Sequence, residues 1–166
     1  MRKRVMSVIL LALSVLFSWN VQAAESGMYK QVIEQPMAEV YPAVYKALED
    51  ARFFVVFEPN IGKNLSRFAE KWGDDYNQNK LSNIRSMVFC NVWYANAVSN
   101  TDPDMLGLCP LRIGLYEQQG KTTVLFARPT VIAAQSMAKS ILQNVEDEVI
   151  TAIQAGVLES DKAQKN

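Results

Sequence analysis

Apolar and polar positions along this chain fall into short blocks whose period switches repeatedly between that of a strand and that of a helix. Tyr29 to Gln35 alternates as a strand does and stops at Pro36. Glu39 to Ala51 places Val40, Val44, Leu48 and Ala51 at helical spacing, with Pro42 tolerable in the first turn, where its missing N–H costs nothing. Arg52 to Glu58 (R-F-F-V-V-F-E) is β-branched and aromatic without alternation, which predicts a short buried strand ended by Pro59. Asn60 is placed to cap a helix presenting Leu65, Phe68 and Trp72, with Gly73 closing it. The run Asp74 to Lys80 is a polar loop.

Ile84 to Phe89 reads as a strand that leads straight into Cys90. Asn91 to Asn100 fits a short helix, and Thr101-Asp102-Pro103-Asp104 a turn. From Leu108 to Gln118, Leu111, Ile113 and Leu115 alternate with Arg112, Gly114 and Tyr116, the pattern of a half-buried strand. Gln119-Gly120 is a tight turn, and Lys121 to Arg128 returns as the hairpin partner. Ala133 to Ala155 is the longest predicted helix, with Ala138, Ile141, Val145, Val149 and Ala152 on one stripe and Gly156 at its end. Hairpins followed by a closing helix argue for an α+β domain: an antiparallel sheet with helices on one face.

The first residues change how the rest is read. Arg2, Lys3 and Arg4 precede an apolar run from Val5 to Trp19, and Val21-Gln22-Ala23 supplies the small residues a signal peptidase reads. That fifteen-residue run, broken only by Ser7, Ser14 and Ser18, is short of the roughly 20 a membrane span needs. A cleaved signal peptide over residues 1–23 is therefore expected, with periplasmic export and no remaining span. An uncleaved N-terminal anchor is the competing reading. The remaining chain reads as one domain over residues 28–157 and a polar tail over 158–166.

Charge and composition then exclude more than they assign. The chain has 17 basic and 17 acidic residues; losing the three basic residues of the signal leaves 14 against 17, a net charge of −3. That balance offers no electrostatic footprint for nucleic acid. With no histidine, Ser-His-Asp and Cys-His catalysis and histidine-ligated metals are ruled out. The glycines are isolated, so there is no phosphate-cradling loop, and there is no Cys-x-x-Cys. No cofactor and no catalytic residue are expected.

What remains is a pair of cysteines. Cys90 ends one predicted strand and Cys109 precedes the next, so both can lie at one sheet edge. In an exported chain an even cysteine count points to a disulfide. Closing that 20-residue loop would contribute ~3 kcal/mol. A reactive redox pair is a second reading, with Arg112 and Arg128 the nearest candidate cations to lower a thiol pKa. A third takes Met87, Cys90, Met105 and Cys109 as a soft-donor set of the kind Cu(I) accepts, although methionine is also ordinary core filler. Two inert buried thiols are the fourth. Trp93 and Tyr94 follow at once, and a helix cannot bury both fully; that both cover the sheet edge is the favoured reading, and a dimer or partner contact through an exposed one is the second. The Asn91, Asn96 and Asn100 amides can line a polar pocket or cap turns; capping is favoured.

Three segments resemble one family. They are F-C-N-x-x-x-A-N from Phe89, D-P-x-M-L-x-L-C-P-L-R-I-x-L-Y-E from Asp102, and G-K-T-T-V-L-F-A-R-P-T from Gly120. Together with the upstream pair ending F-F-V-V-F-E, they resemble domain-of-unknown-function family 302, in an exported subgroup marked by Asn91-Val92 and the order Cys109-Pro110. The resemblance implies a TATA-binding-protein-like β-α-β(4)-α fold, usually dimeric, with no DNA binding implied. The functional expectation is a non-catalytic periplasmic binding or interaction module, a homodimer with a small-molecule or protein partner, whose cysteines are structural. The alternative is a protein handling redox, sulfur or Cu(I) through Cys90 and Cys109.

Overall fold

A computed structural model describes residues 26–165, so the expected signal segment lies outside the described residues. Alternation sets the first strand, β1 (Met28–Ile33): Ile33 is buried, while Met28, Lys30 and Val32 face solvent. Helix α1 (Met37–Asp50) follows and buries Met37, Val40, Tyr41, Val44 and Leu48 along one stripe. It starts two residues earlier than its apolar spacing predicts, which puts Pro42 inside the helix rather than in its first turn. Strand β2 (Phe54–Phe57) is followed by α2 (Ile61–Ser66), where the Asn60 side chain accepts from Lys63 N–H as expected, and by α3 (Ala69–Trp72).

Strand β3 (Asn83–Cys90) leads into α4 (Val92–Thr101), and a 3₁₀ segment over Pro103–Leu108 leads back to β4 (Leu111–Gln118). Gln119 and Gly120 both take positive φ, 53° and 75°, the two-residue turn whose twist suits a hairpin. Strand β5 (Lys121–Ala127) completes it, followed by the single turn α5 (Pro129–Ile132) and the long α6 (Lys139–Lys165).

The five strands pair antiparallel throughout in the order β1-β5-β4-β3-β2. Helices α1 and α6 pack on one face and meet Met87, Phe89, Ile113, Leu115, Val124 and Phe126 from the sheet. A buried phenylalanine such as Phe89 or Phe126 contributes on the order of 1.5–3 kcal/mol. A second, smaller cluster forms where Val98 of α4 meets Ala133, Ala138 and Leu142. Among the described residues, no helix is long and apolar enough to cross a membrane.

Three long-range devices hold these layers. Helix α1 has Pro36 at its N-cap and no capping side chain of its own; the Glu117 carboxylate of β4 accepts from Met37 N–H at 2.7 Å instead. Glu146 of α6 is 1% exposed and takes the Arg128 guanidinium together with the N–H and hydroxyl of Thr130, which pins α6 to the chain leaving β5. The third is Gly156. It does not end the helix, as its identity suggests in sequence, but lies inside α6 where α1 crosses. A Cβ there would sit 2.6 Å from Val44 Cα and 2.9 Å from Ala43 O. The helix runs on through the segment expected to be a polar tail, and Ser160 is buried.

Two outcomes follow from these contacts. Gly156→Ala forces α1 and α6 apart and should lower stability by about 1–3 kcal/mol, read by denaturant titration; an unchanged midpoint would mean that the helices are not locked at this crossing. The Met37 N–H, with smaller help from Ser82 and Asn83, holds the Glu117 carboxyl below the usual carboxylate range. Its contribution is therefore complete above that range and is lost as pH falls through the lowered value. In Glu117→Gln, stability should vary less with pH on the acid side than in the parent.

Candidate functional site

The antiparallel ladder between β3 and β4 ends at Phe89↔Leu111, so the chain between them leaves one sheet edge and must return to it. Asn91 starts the excursion by capping α4: its side-chain oxygen accepts from the N–H groups of Trp93 and Tyr94. Asp102 accepts from Ser136 Oγ at the far end, and Tyr94 Oη donates to Glu148 of α6 at 2.6 Å. The closed excursion brings Cys90 and Cys109 side by side as free, half-buried thiols, Sγ to Sγ 3.3 Å, near enough for one to donate to the other.

Both sulfurs line a cavity of about 30 Å³ where the two hydrophobic clusters meet. Phe53 and Val145 come from the main cluster, Val98 and Leu142 from the small one, and Met105 and Leu108 from the 3₁₀ segment. The volume is on the scale of a water molecule, well short of the roughly 300 Å³ that a small-molecule site begins at. A broader depression of about 1000 Å³ lies along the α1–α6 seam, floored by Ala43, Ala47 and Ala155 and rimmed by Glu39, Asp147 and Glu159.

The surroundings do not activate a thiol. Burial pushes Cys109 up to about 11, and the neighbouring Cys90 thiol adds to the shift. Arg128, a candidate activating cation, is committed to buried Glu146, while Arg112 is exposed on β4, opposite Val88 in the ladder. Neither lines the cavity. Of the soft-donor set, Met87 is fully buried in the main core and Met105 alone joins the two cysteines at the cavity. Among the described residues, no three His, Cys, Asp or Glu side chains gather to hold an ion.

Trp93 and Tyr94 part company. Tyr94 turns in, stacking on Phe53 with ring centroids 6.2 Å apart, and its hydroxyl is pushed up to about 12 by burial and by its bond to Glu148. Trp93 is 67% exposed and Val92 72%. Phe54 of β2, Val92, Trp93 and Tyr94 line one depression of about 540 Å³. Alongside it, Val56 and Phe57 are 65% and 62% exposed. The expectation that this strand is buried therefore fails. β2 is an edge strand whose bulge between Val55 and Phe57 turns apolar side chains outward; a run of unbroken apolar residues gives no sign of which face is covered.

No curated protein matches the chain. The crystal structure of an uncharacterized conserved DUF302 protein from Bacillus stearothermophilus is similar, with a TM-score of 0.68 at 19% sequence identity over 79% of this chain and 98% of that one. At that identity the likeness speaks for the fold alone. The sequence match is to the domain of unknown function DUF302 and spans residues 29–156, so the chain belongs to the DUF302 family.

Proposed function

We propose that the protein is an exported, non-catalytic interaction module that works as a homodimer, with Cys90 and Cys109 serving structure. The observation that carries this reading is the apolar corner where exposed Phe54, Val92 and Trp93 line one depression, beside a β2 edge that among the described residues pairs only with β3 and also exposes Val56 and Phe57. Apolar side chains clustered and exposed in this way mark contact surfaces, and a free strand edge is a template for another strand. The strand also suits a copy of itself. Antiparallel pairing of two β2 strands about the Val55–Val56 bond sets exposed Phe54 of one opposite exposed Phe57 of the other, an apolar cross-strand pair. An exported protein offering an extended apolar strand is the second occupant this surface would take.

A small-molecule ligand draws less support, because the cysteine-lined cavity is too small to enclose one. Thiol catalysis draws less as well: a thiol with a pKa raised to about 11 is almost wholly protonated at neutral pH. In an oxidising compartment, bonding Cys90 to Cys109 would fasten the two ends of the α4 excursion to one sheet edge.

Two measurements test this. Sedimentation of the protein should show a dimer that Val56→Lys or Trp93→Ser weakens at least tenfold, about 1.4 kcal/mol, with the fold intact because both side chains are exposed. A monomer at every concentration sinks the reading; a dimer indifferent to both changes moves the contact elsewhere. In cell fractions, the protein should appear in the periplasm shortened by residues 1–23, with Cys90 and Cys109 blocked to alkylation until reduced. Full-length protein confined to the cytoplasm would overturn the export proposal.

A further inference from the structure

The geometry points to a second use of the cysteine cavity: with Cys90 and Cys109 as thiols, it is a site for one soft monovalent cation of the Cu(I) class, held by their two sulfurs and the Met105 thioether. This goes beyond the interaction-module reading and does not depend on the dimer.

Three observations carry it. Cys90 from the end of β3, Cys109 before β4 and Met105 from the 3₁₀ segment between them all line one cavity. They are distant enough in sequence that only the closed excursion assembles them. The cavity, at about 30 Å³, suits a guest the size of an ion or a single water. The rest of the lining is apolar apart from Asn91 and Tyr94, whose side-chain oxygens are already engaged, Asn91 Oδ1 by the N–H groups of Trp93 and Tyr94 and Tyr94 Oη by Glu148. Thiolate and thioether are the donors that select Cu(I). The same donor list disfavours the hard cations, which need oxygen ligands, and zinc, which in structural sites takes four ligands of a kind not gathered here.

The step balances without a redox partner. The cation enters, each thiol releases its proton to solvent, and two sulfur–metal bonds form in place of two S–H bonds, leaving the ion's oxidation state unchanged. The bound ion and a sulfur–sulfur bond exclude each other, since both use the same two sulfurs. An ion bound before the thiols are oxidised keeps them as thiolates.

The test uses the protein reduced with a phosphine under argon and titrated with Cu(I) in competition with a chromophoric chelator. Expected are one ion per chain and ultraviolet thiolate-to-copper absorption that grows to that equivalence point. Cys90→Ser and Cys109→Ser should each weaken binding by roughly 100-fold, and Met105→Leu by about tenfold, the range seen when groups around a metal are removed. The Met105→Leu change is close to volume-conserving, so an intact circular dichroism spectrum keeps that arm readable. The proposal is overturned if the reduced protein leaves the chelator loaded, if either serine variant binds as the parent does, or if Zn(II) displaces Cu(I) at equal concentration. Met105→Leu without effect removes the thioether from the set and overturns the three-sulfur site. A disulfide that resists reduction also overturns it, while leaving the structural role of the pair standing.

Discussion

The pairing of β3 with β4 is the constraint from which the rest of this molecule follows. Its register, Asn83↔Glu117 through Phe89↔Leu111, is the longest ladder in the sheet, and it fixes where the chain must depart and return. A one-residue slip of β3 would turn Met87 and Phe89 out of the core while Ile113 and Leu115 of β4 stayed in it, so the buried face holds the register. With that register set, the segment from Cys90 to Cys109 is a closed loop whatever joins its ends. The loop-closure entropy is met by the ladder, and the sulfurs inherit their closeness from it. The cysteines are therefore not needed to bring the strands together; they mark a place already brought together.

Charge is handled away from that place. Among the described residues the one carboxylate buried almost completely, Glu146, is answered by Arg128 and by Thr130, and Glu117 is used as a remote cap for α1. These pairings satisfy groups that would otherwise be costly to bury, and they take up the arginine that sequence reading set beside the thiols. The cavity keeps an apolar lining, which raises Cys109 and favours its neutral form. The site becomes anionic only when something displaces its protons, and a coordinated cation is the occupant that does so.

Much of this was legible in the residues because it rests on local rules. The alternation of Leu111, Ile113 and Leu115, the Gln119-Gly120 turn, the Asn60 and Asn91 caps and the Val145–Val149–Ala152 stripe all read through to the structure. The misses are features set by a partner far away in sequence. Gly156 looks like a stop signal and is instead the closest approach of two helices, a fact that depends on Val44. Arg128 looks like a free cation beside a thiol, and its partner lies on α6. The exposure of β2 depends on its being last in the sheet order, and F-V-V-F carries no trace of that order. Within the soft-donor set, spacing could not distinguish Met87 from Met105, because both stand a few residues from a cysteine and only the strand's facing decides which one enters the core.

The two candidate sites therefore divide the work by position. The cavity is partly open, about the size of a water molecule, and lies where both hydrophobic clusters meet, so occupying it bears on the join between α4 and the body. The apolar corner is external and shares α4 with the cavity, since Val92 and Trp93 open that helix while Val98 lies in the small cluster behind it. Tyr94 stands between them, stacked on Phe53 inside, edge-on to Trp93 outside, and tied to Glu148. Whatever fastens Cys90 to Cys109 stiffens the base of α4, and a stiffer α4 presents Val92 and Trp93 in a fixed position beside β2. Ordering a contact surface before it meets its partner lowers the entropy lost on association. If the protein is the interaction module proposed above, the cysteine pair would bear on binding without touching the partner, a sufficient reason to place its only two thiols there.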